Sequence, residues 1–289
     1  MSETFLCELT GSFSTPAAGN PTVAMMEMAY RHHKLNFRYI NCEVAPADLA
    51  NAVKGARALN WAGFNLSIPH KVAVIKYLDS LGESAEIMGA VNCVVNRDGK
   101  FVGENTDGKG FLQAFKKVDT PKGKRIAILG AGGAARAIAV ELALDGASDF
   151  TIINRDLKRG NELAKLLKQR LHVAAEFNPW CSNYKIKKTT DVIINATSVG
   201  MVGGNSSQLD LDTNCVLSNM IVADVIVNPP QTNLLRSACN VGARTIDGLG
   251  MMVNQAVIAV QYWTSFEVDP NVMVTELRRV LKVGNIKQS

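Results

Sequence analysis

Two charged side chains follow predicted strands at positions where they can do chemistry. Lys71 closes the segment Asn-Leu-Ser-Ile-Pro-His-Lys (65–71), just beyond a buried strand that a proline ends, and Asp107 follows a second strand in Glu-Asn-Thr-Asp-Gly (104–108). A lysine and an aspartate at the carboxyl ends of neighbouring strands can shuttle a hydroxyl proton while a carrier takes the hydride from carbon. Each residue has an ordinary alternative, Lys71 as a surface side chain and Asp107 as a helix N-cap.

A glycine-rich turn between a strand and a helix indicates a dinucleotide site. The strand over 125–129 runs into Gly-Ala-Gly-Gly-Ala-Ala-Arg (130–136), a G-x-G-x-x-A pattern. Gly130 permits the tight turn, Gly132 lets the backbone approach a pyrophosphate, and Ala135 lets the helix lie close to the strand. A tight turn without a ligand is the alternative, but the strand-turn-helix context favours a nicotinamide dinucleotide.

The residues after the next predicted strand bear on the choice between NADP and NAD. They read Asn-Arg-Asp-Leu-Lys-Arg (154–159). Arg155 and Arg159 favour a 2′-phosphate through charge-assisted hydrogen bonds, whereas Asp156 would repel that phosphate if it pointed inward. Asp156 can instead cap the helix that follows. The pattern favours NADP, with NAD as the alternative.

Apolar runs alternate with helical patterns along the chain, which predicts an α/β protein. The first strand is expected at residues 5–9, and a hairpin is expected around the turn Arg-Asp-Gly-Lys (97–100). Turn residues at 119–124 mark a junction. We therefore predict an N-terminal α/β substrate-binding and catalytic domain over 1–120 and a C-terminal Rossmann-type, doubly wound parallel-sheet domain over 121–264. The helix of 265–289 is expected to pack back on the first domain.

Composition excludes several classes of protein. The six cysteines stand singly and only four histidines occur, so we expect neither a metal site nor a disulfide framework. The net charge of +5 is dispersed, which argues against a nucleic-acid groove. Residues 1–4 lack the pattern of a signal peptide, and the most apolar stretch, 220–227, is too short to span a bilayer. We expect a cytoplasmic monomer or homodimer that binds a small-molecule substrate and neither nucleic acid nor membrane.

Six motifs, in order over nearly the whole chain, resemble those of the shikimate dehydrogenase family. They are residues 65–71 and 104–108, Gly-Ala-Val-Asn (89–92), residues 130–136, Asn-Ala-Thr-Ser-Val-Gly-Met (195–201) and Asp-Gly-Leu-Gly-Met-Met-Val-Asn-Gln-Ala (247–256). The resemblance implies NADP-dependent oxidation of a ring hydroxyl of shikimate or a close analogue, a reaction of the chorismate pathway to the aromatic amino acids.

The resemblance also implies roles for single residues. Lys71 and Asp107 become the catalytic pair. The implied substrate ligands are Ser67, Asn92, Thr106, Gln255 and, in a changed motif, Asn20. The implied cofactor contacts are Gly130, Ala131, Gly132, Gly133, Ala134, Ala135, Asn154, Arg155, Asp156, Arg159, Thr197, Ser198, Val199, Met201, Val225, Gly248, Met251 and Met252.

The sequence departs from the family where the substrate is held. The family's Ser-x-Ser-Pro hydroxyls, which hold the substrate carboxylate, correspond here to Ala18 and Asn20, a family tyrosine to Val227, and a threonine of the adenosine-phosphate motif to Asp156. A lost hydrogen-bond partner commonly costs ~1–3 kcal/mol. We therefore expect poor shikimate turnover and a substrate such as quinate, an aminoshikimate or another cyclic polyol.

Two other functions remain as alternatives. One is a dinucleotide-binding regulatory or sensor protein of the same fold with weak or no turnover, which the altered carboxylate site permits. The other is folate-type dehydrogenase chemistry on a similar two-domain plan, which does not explain Asn92 and Asp107 together.

Overall fold

The chain folds into two compact units, seen in a computed structural model that describes residues 5–201 and 209–282. One unit comprises the residues up to Thr106 and those from Gln255 onward, and the other comprises Asp107–Asn254. The boundaries predicted from the sequence fell after residues 120 and 264. The difference at the first boundary arises because Phe111 and Phe115 are buried in the core of the second unit. Residues 1–4 and 283–289, parts of the predicted N-terminal segment and C-terminal helix, lie outside the described residues.

The first unit is built on a six-stranded sheet of order β2-β1-β3-β5-β6-β4. Strands β5 and β6 form the predicted antiparallel hairpin. The strands are β1 (Glu8–Ser14), β2 (Phe37–Glu43), β3 (Gly63–Leu66), β4 (Ser80–Leu81), β5 (Cys93–Arg97) and β6 (Lys100–Glu104). The helices are α1 (Thr22–His32), α2 (Leu49–Ala58), α3 (His70–Ala73) and α4 (Glu83–Met88), with 3-10 turns at Pro46–Asp48 and Val74–Tyr77.

The first strand begins later than the apolar run at 5–9 predicts, so that expectation was wrong. Phe5 and Leu6 are 94% and 80% exposed. Strand β1 instead uses alternating positions: Phe13 is buried in the hydrophobic core, while Thr10 shares a hydrogen bond of 3.0 Å with Tyr30 of α1. A strand between two parallel neighbours needs two covered faces, and its polar face here is covered by polar partners.

The second unit is a doubly wound sheet, which confirms the predicted fold class. Its strands are all parallel, in the order β12-β11-β10-β7-β8-β9. The strands are β7 (Arg125–Leu129), β8 (Asp149–Asn154), β9 (Ala174–Pro179), β10 (Val192–Asn195), β11 (Ile221–Asp224) and β12 (Arg244–Ile246). The helices are α5 (Thr106–Lys116), α6 (Gly133–Leu144), α7 (Leu157–Leu171) and α8 (Asn233–Asn240), with a 3-10 turn at Thr213–Cys215. Strand order reverses between β7 and β10, and ligands bind at such a switch point.

Two further helices end the described chain. They are α9 (Gly248–Thr264), within which the chain returns to the first unit, and α10 (Pro270–Val280). Helix α10 packs against α1. Trp263 of α9 is anchored in the first unit by a 2.9 Å hydrogen bond from its Nε1 to the carbonyl of Val94. Within 5–201 and 209–282, none of the helices has the length and apolar character needed to cross a bilayer.

Candidate active site

Lys71 lies in the short helix α3, which begins four residues after β3 ends. Its carbonyl accepts a 2.8 Å hydrogen bond from the N–H of Val91, and its side chain is half-buried. The neighbouring His70 is buried, with its Nε2 2.8 Å from the carbonyl oxygen of Val44. His70 therefore anchors the helix, and Lys71 is held at the end of a buried strand.

A buried chain of hydrogen bonds brings three of the predicted substrate ligands together in the first unit. The amide Nδ2 of Asn92 donates to Thr106 Oγ1 at 3.0 Å, and Thr106 Oγ1 lies 3.4 Å from Gln255 Oε1. Asn65 donates to the carbonyl of Asn92 at 3.1 Å and accepts from the Tyr39 hydroxyl at 3.0 Å. Sequence reasoning missed Asn65 and Tyr39 as members of this network. An asparagine inside an otherwise apolar strand was the available signal for Asn65.

Asp107 follows Thr106 directly, so the network also fixes the backbone that carries it. The N–H of Thr106 donates to Asn92 Oδ1 at 2.7 Å. Helix α5 begins at Thr106, which places half-buried Asp107 inside the first turn. The alternative of Asp107 as the N-cap is therefore wrong, because the N-cap is the residue that precedes a helix.

The loop between β1 and α1 carries the altered substrate motif. Asn20 accepts a hydrogen bond from the N–H of Thr22 at 3.0 Å and donates to Ser12 Oγ at 3.3 Å. Asn41 of β2 donates to the carbonyl of Asn20 at 3.0 Å. Ala18 is exposed. The loop is thus held by amide groups and presents a methyl group where the family motif has a hydroxyl.

Two neighbours of this loop bear on what it can bind. Thr15 donates its N–H to the carbonyl of Ile68 at 3.3 Å, which places the loop beside the segment that contains exposed Ser67 and half-buried Lys71. Glu43 of β2 accepts the N–H of Ala17 at 2.6 Å. Hydrogen bonds from the Thr15 side chain and the Ala17 N–H hold the pKa of the Glu43 carboxyl below its usual value. The loop therefore lies next to an ionised carboxylate.

The glycine-rich turn of the second unit has the form that a dinucleotide pyrophosphate needs. Gly130 has a φ of +109°, and a side chain there would meet the backbone of Ala196 at 3.1 Å. Gly132 and Gly133 are exposed, and a Cβ at either position would have no atom within 4 Å. Gly132 is the N-cap of α6 and has no side chain that could accept a hydrogen bond from the first amides of the helix. Open space beside uncapped helix amides fits a bound phosphate.

Asp156 is the N-cap of α7, the second of the two possibilities that the sequence left open. Its Oδ1 accepts the N–H of Arg159 at 3.0 Å, and Asn154 donates to its carbonyl at 2.8 Å. Its Oδ2 lies 3.6 Å from Arg159 Nε. Arg155 and Arg159 are both exposed. The end of β8 thus presents two arginines together with one carboxylate that the helix cap already uses.

The remaining predicted cofactor residues lie at the ends of β10 and β11 and at the start of α9. Thr197 donates its hydroxyl to Asn195 Oδ1 at 2.7 Å. Gly248 comes so close to Val225 that a Cβ on it would lie 2.5 Å from the Val225 carbonyl oxygen. The others of this set are exposed or half-buried: Ser198, Val199, Met201, Met251 and Met252. For the described part of the chain, no three or more His, Cys, Asp or Glu side chains group into a metal site.

Three family models match the chain and together cover most of it. They are described as the shikimate dehydrogenase substrate binding domain (residues 15–94), shikimate / quinate 5-dehydrogenase (113–251) and the shikimate 5′-dehydrogenase C-terminal domain (248–278).

Individual relatives agree with these models over nearly their whole lengths. The NADP(+) shikimate dehydrogenase of Alkaliphilus oremlandii is 41% identical over 262 residues, which is 89% of this chain and 91% of that protein. The ligand-free 5-ketofructose reductase of Gluconobacter sp. strain CHM43 is 51% identical, with a TM-score of 0.93 over 96% of this chain and 100% of that one. A shikimate dehydrogenase in complex with NADP+ is 35% identical, with a TM-score of 0.88 over 96% of both chains.

Proposed function

Because this chain belongs to the shikimate dehydrogenase family, we propose that it reduces the ketone of an uncharged, polyhydroxylated substrate with NADPH and oxidises the resulting hydroxyl in reverse. The predicted function at the level of the family is confirmed: the protein is an NADP-dependent oxidoreductase that acts on a CH–OH group, with shikimate or a close analogue as the substrate class. The observation that carries the finer proposal is the loop at residues 17–20, which lacks the family's two hydroxyls and binds Glu43 through its own N–H.

This loop is poorly suited to bind a substrate carboxylate. The two hydroxyl donors of the family motif are replaced by the methyl of Ala18 and the amide of Asn20. That amide already uses its oxygen on the N–H of Thr22 and its nitrogen on Ser12. The ionised Glu43 carboxylate lies beside the loop. An anion there would lose hydrogen bonds and meet a like charge.

The loop is better suited to an uncharged polyol, because hydroxyl groups both donate and accept hydrogen bonds. Ser12, Asn20 and Asn41 form a connected set of neutral amide and hydroxyl groups. The buried hydroxyl of Ser14 has no hydrogen-bond partner among the described residues. The similarity to a 5-ketofructose reductase at 51% identity supports the same substrate class, since a ketosugar has a ketone and several hydroxyls but no carboxylate.

We assign the proton chemistry to Lys71 and Asp107. When bound, NADPH supplies the hydride that converts the ketone carbon to a secondary alcohol carbon. The Lys71 ammonium donates a proton to the carbonyl oxygen as negative charge develops there, and in the reverse direction neutral lysine takes the proton back. Asp107 binds the reacting hydroxyl. The hydrogen-bond chain of Asn92, Thr106 and Gln255 fixes the orientation of Asp107.

Shikimate itself remains the second candidate substrate. It is favoured by the NADP(+) shikimate dehydrogenases among the relatives and by the preserved network of Asn92 and Thr106. The two candidates differ in charge, because shikimate carries a carboxylate and a ketosugar does not.

Restoring the family hydroxyls tests that difference. The double substitution Ala18→Ser with Asn20→Ser is expected to raise kcat/KM for shikimate by about 30-fold to 1000-fold, since each of the two hydroxyls restores a hydrogen bond of ~1–2 kcal/mol. Ala18 is exposed, so the added oxygen has room. Steady-state oxidation with NADP, followed by nicotinamide absorbance, measures the change. Asn20→Ala is the matched control, which removes the amide without adding a hydroxyl. An unchanged kcat/KM for shikimate in the double variant would contradict carboxylate exclusion by this loop.

Asp156 is expected to moderate the preference for NADP. We expect Asp156→Ser, which keeps an N-cap oxygen and removes the charge, to raise the NADP-to-NAD ratio of kcat/KM by about twofold to fivefold, the size of an exposed charge interaction. The measurement is a pair of cofactor saturation curves at fixed substrate. Lys158→Ala on the same exposed turn is the control for a general change in charge. A ratio that stays constant in Asp156→Ser would show that this carboxylate does not act on the 2′-phosphate.

We also infer the setting in which the enzyme works. Cytoplasmic location is supported by the six cysteines, all of them free thiols, because a reducing compartment maintains thiols in that state. We propose a monomer or homodimer that binds neither nucleic acid nor membrane, in keeping with its dispersed and modest charge.

A further inference from the structure

A buried carboxylate lies at the end of β11, in the second unit. Asp224 is 1% exposed, and it accepts hydrogen bonds from Asn195 Nδ2 at 3.1 Å, from the N–H of Ile226 at 3.1 Å and from the Thr232 hydroxyl at 2.8 Å. All three partners are neutral donors, an arrangement suited to an ionised, acceptor-only carboxylate. Burial raises the pKa of this carboxyl group. Among the described residues no cation forms an ion pair with Asp224, and a buried carboxylate held only by neutral donors calls for a reason beyond stability.

One partner of Asp224 organises the loop that follows β10. Asn195 is fully buried, and its Oδ1 accepts both the N–H of Thr197 at 3.1 Å and the Thr197 hydroxyl at 2.7 Å. Asn195 Nδ2 also donates to the carbonyl of Val199 at 3.3 Å. The N–H of Val199 in turn donates to Thr197 Oγ1 at 3.1 Å. The rotamer of Asn195, fixed by Asp224, therefore sets the backbone of residues 197–199.

The other partners organise the loop that follows β11. The N–H of Ile226 binds Asp224 directly, which orients the peptide next to Val225. Thr232 is the N-cap of α8 and accepts the N–H of Leu235 at 3.3 Å. The loop from 225 to 232 is thus held to the same carboxylate at both of its ends.

These two loops carry most of the predicted cofactor residues that lie outside the phosphate turn and the end of β8, namely Thr197, Ser198, Val199, Met201 and Val225; the others lie at the start of α9. The turn at 130–135 follows β7, and Arg155 and Arg159 follow β8 on one side of it. Strands β10 and β11 lie on the other side of β7. A dinucleotide that crosses the sheet at its switch point, with its adenosine over β8, places its nicotinamide half over β10 and β11.

We propose that Asp224 is a positioning residue for the nicotinamide half of the cofactor, acting through Asn195 and Thr232 on the two loops that bind it. This inference rests on the cofactor site of the proposed function, and it adds a residue that touches neither cofactor nor substrate. A purely structural role for the same carboxylate would be to cap α8 and stabilise the second unit as a whole.

The test compares two ligands that differ in the nicotinamide half. NADPH contains both halves, whereas 2′,5′-ADP contains only the phosphorylated adenosine half. For Asp224→Asn, which keeps the shape and alters one donor-acceptor pairing, we expect Kd for NADPH to rise about 10-fold and Kd for 2′,5′-ADP to stay within about twofold of wild type. Calorimetric titration measures both ligands without any substrate.

Three more variants keep the outcome interpretable. Thr232→Val removes the hydroxyl donor without changing the shape and is expected to give the same selective loss, while Thr232→Ser restores the hydroxyl and is expected to rescue NADPH binding. Asp191→Asn is the matched control: Asp191 binds Arg125 Nη2 at 2.8 Å at the amino end of β10, away from the carboxyl ends where the ligand binds. It is expected to lower stability and leave both Kd values unchanged.

The inference is overturned if Asp224→Asn and Thr232→Val bind NADPH like the wild type, if they weaken NADPH and 2′,5′-ADP equally, or if Asp191→Asn shows the same selective loss. Failure of the wild-type protein to bind NADPH would instead overturn the cofactor site itself, and this inference with it.

Discussion

Lys71→Ala is expected to lower kcat for ketone reduction by about 10²–10⁴-fold, the usual contribution of a positioned acid or base. The side chain is half-buried in α3, a helix anchored by His70 and by the N–H of Val91, so its removal leaves the surrounding backbone in place. Cofactor binding is expected to stay within about twofold of wild type, because the dinucleotide cradle belongs to the other unit. Single-turnover reduction at saturating NADPH, together with a fluorescence titration of NADPH, measures both quantities.

Two variants at the same helix show whether the proton matters rather than the charge. Lys71→Arg keeps the positive charge but has a pKa too high to exchange a proton near neutral pH, so it is expected to be nearly as inactive as Lys71→Ala. Val72→Ala changes the exposed neighbour and is expected to be fully active. Wild-type turnover in Lys71→Ala would contradict the catalytic assignment. Absent turnover in both wild type and variant, with NADPH bound, would support the sensor alternative.

Asn92→Ala is expected to lower kcat by about 10-fold to 100-fold and the free energy of unfolding by about 1–3 kcal/mol. The substitution leaves the buried N–H and hydroxyl of Thr106 without their partner, which bound them at 2.7 and 3.0 Å. Because Thr106 precedes Asp107, the loss reaches the catalytic aspartate through the backbone. Steady-state kinetics and urea unfolding of the same preparation measure the two effects.

Asn96→Ala separates the two effects of Asn92→Ala. Asn96 lies on β5, the strand that begins directly after Asn92, near the hairpin turn, and it donates to the carbonyl of Trp61 at 2.9 Å. Its loss is expected to cost stability while kcat stays at the wild-type value. If Asn92→Ala retained wild-type kcat despite its lower stability, the hydrogen-bond network would be structural only.

The elements that sequence patterns predicted are those whose local signals agree with their tertiary setting. Strand β7, its glycine turn and helix α6 combine an apolar run, a tight turn and a helical pattern over consecutive residues. The elements without a sequence prediction are short or lie near sheet edges. Strand β9 mixes Glu176 and Pro179 into its run, β4 and β12 have two and three residues, and α8 has eight. Pairing with a neighbouring strand decides the strands among them, and packing against β11 and β12 decides α8.

The residues of the candidate site also divide into those that sequence motifs predicted and those that they did not. Lys71, Asn92, Thr106 and Asp107 could be found because their types recur in ordered motifs at strand ends. Asn41 and Glu43 could not, because on the edge strand β2 they resemble solvent-facing positions. Their contacts with the loop at 17–20 depend on a chain crossing more than twenty residues away in sequence. The buried role of Asp224 was equally invisible, since its partners come from the end of β10 and from both ends of the loop that follows β11.

The most direct test of the proposed function is the kcat/KM of the wild-type enzyme with NADPH for 5-ketofructose, compared with its kcat/KM for 3-dehydroshikimate under the same conditions. A neutral-substrate site predicts a value in the ordinary enzymatic range, ~10⁴–10⁸ M⁻¹s⁻¹, for the ketosugar and a value lower by about 100-fold or more for the carboxylate. Efficient reduction of 3-dehydroshikimate with little or no activity on the ketosugar would contradict the neutral-substrate proposal and would support shikimate as the substrate.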